Sequence, residues 1–104
     1  MKYIINTKNA LLGTIFQNRE TIKSFGVKEL GLFGSFATGK GINETSDIDF
    51  LVEFEPGKKN FDNFMNLSFF LEEISGRKIE LVTPQSLSKY LGPHILKQVE
   101  HVSL

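Results

Sequence analysis

The chain has no cysteine, which excludes disulfide staples and thiolate chemistry and suits a reducing compartment, so a cytoplasmic protein is expected. It also lacks an apolar run of the roughly 18 residues that a membrane span needs. Met1-Lys2-Tyr3-Ile4-Ile5 is interrupted by Asn6 before a signal peptide could form. No membrane association is expected. An excess of charge of one sign is missing too: Lys plus Arg and Asp plus Glu number 12 each. Without a basic field there is little to hold a polynucleotide, which speaks against a polymerase or a DNA-binding module, and no direct nucleic-acid contact is expected. There is no repeat, linker or low-complexity tract. A length of 104 residues suffices for one core but not for two, so residues 1–104 read as a single domain.

What is present is apolar and patterned. Hydrophobic residues make up 40% of the chain and ten are Phe, several clustered between Phe50 and Phe70 as core or as a partner surface. Leu11, Leu12, Ile15, Phe16 and Ile22 recur at helical spacing, predicting one helix from about Asn9 to Ser24, ended near Gly26. Val27–Phe33 reads as a strand closed by Gly34, and Ser35–Thr38 as a short helix. Asp47–Phe54 is a second strand, stopped by Pro56-Gly57. Phe61–Ser75 is the longest helix, with Phe61, Phe64, Met65, Leu67, Phe69, Phe70, Leu71 and Ile74 on a wide apolar face. Lys78–Val82 is a third strand. A short helix over Gln85–Tyr90, a break at Gly92-Pro93 and a last helix from His94 to His101 complete the reading. Strands separated by helices predict an α/β (α+β) domain with a small mixed sheet flanked by helices.

The chemistry concentrates in Gly34-Ser35, an eleven-residue loop (Phe36–Ser46), and Asp47-Ile48-Asp49-Phe50. Side chains alternate along a strand, so Asp47 and Asp49 share one face about 6–7 Å apart, while Ile48, Phe50, Val52 and Phe54 line the other. Two such carboxylates repel each other unless a cation sits between them. Paired divalent ions are what phosphoryl-type transfer uses. Glu80, alone between Ile79 and Leu81, is the natural third carboxylate, because a charge in that strand is expensive without a partner. Gly34 lets a backbone approach a phosphate, and Ser35 can open a helix whose free N–H groups favour anions. Hard oxygen donors of this kind suit Mg²⁺ with substrate phosphates in its remaining positions. Together these parts make a site for a nucleoside triphosphate. Glu53 and Glu55 share the strand face of the aspartates and read as a solvated strand end.

Three competing patterns fail. Gly34 to Gly41 fits a P-loop up to its last position, where Gly41 replaces the Ser or Thr that binds Mg²⁺, and the segment after Lys40 is a poor helix. Asp47-x-Asp49 begins like a calcium loop, but Leu51 fills the next ligand slot and no Gly follows. His94 and His101 have no third ligand nearby and read as surface or cap residues.

Leu32-Phe33-Gly34-Ser35-Phe36-Ala37 and Ser46-Asp47-Ile48-Asp49-Phe50-Leu51-Val52 together resemble the DNA polymerase β-like nucleotidyltransferase superfamily. With the ending Ile79-Glu80-Leu81-Val82-Thr83-Pro84, the chain is similar to its smallest branch, the minimal nucleotidyltransferases (MNT), from about Phe16 to Val102. The resemblance implies the nucleotidyltransferase fold. It implies that Gly34 and Ser35 hold the triphosphate of ATP, and that Asp47 and Asp49 carry two Mg²⁺ ions with Glu80 completing a catalytic and metal-binding trio. It implies a neighbouring helical HEPN-type toxin as partner, for which the chain serves as antitoxin by transferring AMP to a hydroxyl, in some members a tyrosine. Family members often carry Arg where this chain has Thr38, a role that Lys40 can take over in binding the nucleotide. Their third acid is commonly Asp, here Glu80. Two alternatives stay open: an antitoxin that only masks its partner through a Phe-rich surface, and transfer to a small molecule. A homodimer and a hetero-oligomer both remain open as assembly states.

Overall fold

Every second residue of Ile48–Phe54 (β2) is buried: Ile48, Phe50, Val52 and Phe54 point into the core, and Asp49, Leu51 and Glu53 face the other way. In the computed structural model, which describes residues 4–87 and 92–104, β2 is an inner strand of a four-stranded mixed sheet. The order is β3-β2-β1-β4, with β1 spanning Val27–Phe33, β3 Ile79–Val82 and β4 Glu100–Val102. β1 runs antiparallel to both β2 and β4, and β2 runs parallel to β3. The mixed α/β class expected from the pattern is the one observed.

Core packing follows from local chemistry. α4 (Phe61–Ser75) starts at Asn60, whose side chain accepts from the Asn63 N–H at 2.8 Å, and stops at Gly76 in the left-handed region. It buries Leu67 and Leu71 against the sheet, each contributing about 1.5–3 kcal/mol. Its apolar face is narrower than the sequence suggests: Phe61 is 70% and Phe69 58% exposed. β1 carries a bulge between Val27 and Glu29, so Lys28 and Glu29 are both exposed before alternation resumes at Leu30.

Two helical expectations are corrected. The segment Asn9–Ser24 is two helices, α1 (Lys8–Gln17) and α2 (Arg19–Ser24), because the Asn18 side chain donates to Thr14 O at 2.8 Å and its backbone leaves helical geometry. Phe16 is consequently exposed, with the Arg19 guanidinium 4.0 Å above its ring. At the other end, the last helix is α5 (Gly92–Gln98) in place of the expected His94 to His101, with Pro93 in its first turn, where proline is tolerated. His101 then lies on β4 opposite Gly31, in a strand drawn out by the burial of Val102. The sequence after Thr83 forms a 3₁₀ turn, Pro84–Ser86. The Ser88–Tyr90 part of the short helix expected there lies outside the described residues.

Gly31 marks where Val99, just past α5, presses onto the sheet: a Cβ built there overlaps Val99 Cγ1. Gly31→Ala should therefore destabilise by about 1–3 kcal/mol through overpacking, read as a fall in thermal midpoint. Val99→Ala in the same chain should recover part of that loss. A double variant no more stable than Gly31→Ala alone would show that the contact does not limit the packing.

Candidate active site

Three separate segments meet at the ends of β1, β2 and β3. After β1, the chain turns at Gly34 (φ +71°) into α3 (Ser35–Thr38), where the Ala37 and Thr38 N–H groups both return to Gly34 O at 3.1 and 3.3 Å. A positive φ favours glycine. Space demands it independently, since a Cβ on Gly34 would overlap Asp49 Oδ2. The turn and the second aspartate are thus in direct proximity, as their spacing suggested.

Asp47 precedes β2 and is half-buried, and the Ile48 N–H beside it donates to Lys78 O at 3.0 Å. Asp49 sits between Phe33 on β1 and Glu80 on β3 as register partners. Neighbouring strands lie about 4.8 Å apart, so Asp49 and Glu80 are adjacent carboxylates on one sheet face. Burial first, then Glu80, then Asp47, hold the Asp49 carboxyl above its ordinary value of 3.8. Glu80 and Asp47 are thus both near enough for the Asp49 carboxyl to feel their charge. One premise is corrected: Glu80 is exposed, because β3 is an edge strand and its outer face is open to water. Glu53 is paired in register with Glu29 and lies four residues beyond Asp49, about 13 Å along the strand. Both are exposed, as a solvated strand end should be.

The donor set is hard oxygen, the kind Mg²⁺ takes, and the crowding at Asp49 is what a divalent ion relieves. Among the described residues, no three acidic or His side chains come close enough to hold an ion by themselves. Mg²⁺ bound through one or two carboxylates plus substrate phosphates needs no such cage. Thr38 is engaged locally: its hydroxyl donates to Ser35 O at 3.1 Å and accepts from the Lys40 N–H at 3.2 Å. Lys40 is exposed past the far end of α3, about 6 Å of helix rise from Ser35.

Among the described residues the charged side chain that the fold buries is Arg77, which sequence reasoning passed over. It is 6% exposed and donates from Nε to Ile5 O (2.5 Å), from Nη1 to Asn43 O (2.8 Å) and Ser46 O (2.9 Å), and from Nη2 to Asn6 Oδ1 (2.9 Å). Its guanidinium carbon lies 5.1 Å from the centre of the Phe36 ring in α3. The available signal was its position between the helix-ending Gly76 and a strand, where the next residues turn inward.

The family model described as "Nucleotidyltransferase domain" matches residues 16–101. The protein adenylyltransferase MntA of Thermococcus cleftensis is 36% identical over 81% of this chain and 83% of its own length. A solved structure assigned as a minimal nucleotidyltransferase superposes with a TM-score of 0.68 at 30% identity, covering 86% of this chain and 93% of that one. A tri-AMPylated HEPN toxin of Shewanella oneidensis in complex with MNT antitoxin contains a chain of the same fold, with a TM-score of 0.65 at 18% identity over 93% of this chain and 72% of that one.

The raised Asp49 carboxyl has a consequence for stability without metal. A carboxyl that holds its proton more tightly when folded favours the fold fully below 3.8, and that advantage is lost as pH rises through the folded value. Asp49→Asn should therefore raise the thermal midpoint at pH 7 in chelator, with the gain shrinking as pH falls toward 3.8. A variant less stable than wild type at pH 7 would contradict the crowding.

Proposed function

The chain belongs to the nucleotidyltransferase domain family, in its minimal nucleotidyltransferase branch, and is a nucleotidyltransferase; from that premise we propose that it transfers AMP from ATP to a hydroxyl of a helical HEPN-type partner protein, for which it is the antitoxin. The observation that carries the reading is the close approach of Asp49 to Gly34, with burial first, then Glu80 and Asp47, holding its carboxyl above the ordinary value. A carboxylate cluster against a glycine turn is the arrangement that places metal-binding oxygens beside a polyphosphate. The protein acceptor is supported by the name of the Thermococcus relative, and the HEPN class of partner by the Shewanella complex.

In this mechanism Gly34 and Ser35 hold the triphosphate, and Lys40 approaches it from the end of α3. Asp47 and Asp49 would hold two Mg²⁺ ions, with Glu80 as a further ligand. When bound, the metal supplies charge neutralisation and lowers the pKa of the acceptor hydroxyl. The acceptor oxygen, a tyrosine hydroxyl in this proposal, forms a bond to the α-phosphorus as the bond to the pyrophosphate oxygen breaks. Glu80, open to solvent on the same face, takes the hydroxyl proton. The setting is cytoplasmic; among the described residues no helix is long and apolar enough to cross a membrane.

A second reading, masking without chemistry, draws on Phe61, which borders a groove with Phe64 and Leu81. The two separate cleanly. Incubated with this protein, ATP and Mg²⁺, the partner should gain the mass of one or more AMP groups and stay inhibited after separation. Asp47→Asn should abolish the gain, and Glu80→Gln should slow it by at least about 10²-fold, the scale of acid–base help. Inhibition that needs no ATP, survives Asp47→Asn and ends on dissociation would establish masking instead.

A further inference from the structure

We propose that Arg77 is a positioning residue for nucleotide and metal binding, setting the separation between the Gly34-Ser35 turn and the carboxylates. This rests on the site reading above and adds a residue that no motif of the sequence brought forward.

The guanidinium touches each side of the site without belonging to it. Two of its bonds end on Asn43 O and Ser46 O, the carbonyls of the loop that delivers Asp47 one residue later. Its face lies against Phe36, which follows Ser35 in α3 and is fully buried. Its own backbone leads through Lys78, whose carbonyl accepts from the Ile48 N–H, to Glu80 on β3. The remaining bonds, to Ile5 O and Asn6 Oδ1, tie the cluster to the chain's first described residues.

Two physical features make this more than a packing contact. Arginine's planar fork fixes the angle between the partners of its different nitrogens, whereas an ammonium would be free to choose among them. Among the described residues no carboxylate bridges this buried cation, so its charge is met by carbonyl and amide oxygens and the Phe36 ring alone. An exposed loop that must present a metal ligand is held in place by those bonds. Within the loop, the Asn43 N–H donates to Ser46 Oγ at 2.9 Å and Thr45 N–H to Asn43 Oδ1 at 2.9 Å, so the carbonyls Arg77 grips belong to an already folded turn. Fixing that turn fixes where Asp47 starts.

The test is Arg77→Lys, which keeps the charge and loses the fork. Partners that orient metal ligands typically affect affinity by about 10- to 100-fold when removed. The KM for Mg²⁺-ATP, and the Mg²⁺-ATP Kd measured by calorimetry without acceptor, should each rise at least about tenfold, with kcat at saturation within about threefold. Amide exchange in residues 43–47 and 35–38 should accelerate in the ligand-free variant while that of Leu30 and Phe50 does not. Asn6→Ala, which removes only the tie to the first segment, should lower the thermal midpoint and leave KM unchanged. A purely stabilising Arg77 would lower the active fraction and leave KM and Kd as in wild type, which overturns the inference alone. A wild type that does not bind Mg²⁺-ATP sinks the site reading and this inference with it.

Discussion

The alternation of β2 is the constraint on which the rest depends. Ile48, Phe50, Val52 and Phe54 must enter the core, and burying them contributes about 1.5–3 kcal/mol each. A strand has only two faces, so the same packing that holds the sheet together forces Asp49 onto the opposite side. A one-residue slip would bring the carboxylate into the core and put four apolar side chains in water. The site's register is therefore secured by hydrophobic burial, and the repulsion among Asp47, Asp49 and Glu80 is tolerated because the core is strong enough to impose it.

Around that strand the site is assembled from segments distant in sequence. β1 delivers the Gly34 turn, the loop Ile42–Ser46 delivers Asp47, and the parallel pairing of β3 with β2 sets Glu80 beside Asp49. Each segment has its own local anchor; beneath them Arg77 holds the loop by two hydrogen bonds, to Asn43 O and Ser46 O, and lies against Phe36 of α3. The apolar groove by Phe61 lies at the β3 edge of the sheet, near the end of the strand that carries Glu80.

Much of this was legible in the sequence where a single periodicity governed. β1 has the expected bounds, and so does α4, because alternation or helical spacing ran unbroken to a terminating glycine at each. The pairing of Gly34 with Asp49 was implied by motif spacing. What was missed depended on competition between local and long-range terms. Asn18 splits a periodic helix by bonding to Thr14 O, an option that apolar spacing does not register. β4 forms because Val102 finds Leu30 across the sheet, a partner more than seventy residues away in sequence. Phe61 and Phe69 counted as core by composition but lie beyond the strip that the sheet can cover. Arg77 was invisible because three of its four hydrogen-bond partners are backbone carbonyls, which carry no residue identity.

The central claim is that Asp47 and Asp49, set against the Gly34 turn, form one metal–nucleotide site. Calorimetric titration of Mg²⁺-ATP into the wild type and into Asp47→Asn/Asp49→Asn tests it most directly. The account predicts measurable binding by the wild type and at least about a tenfold weaker Kd for the double variant, equivalent to about 1.4 kcal/mol, with the fold intact. Equal affinity in the two proteins would contradict it.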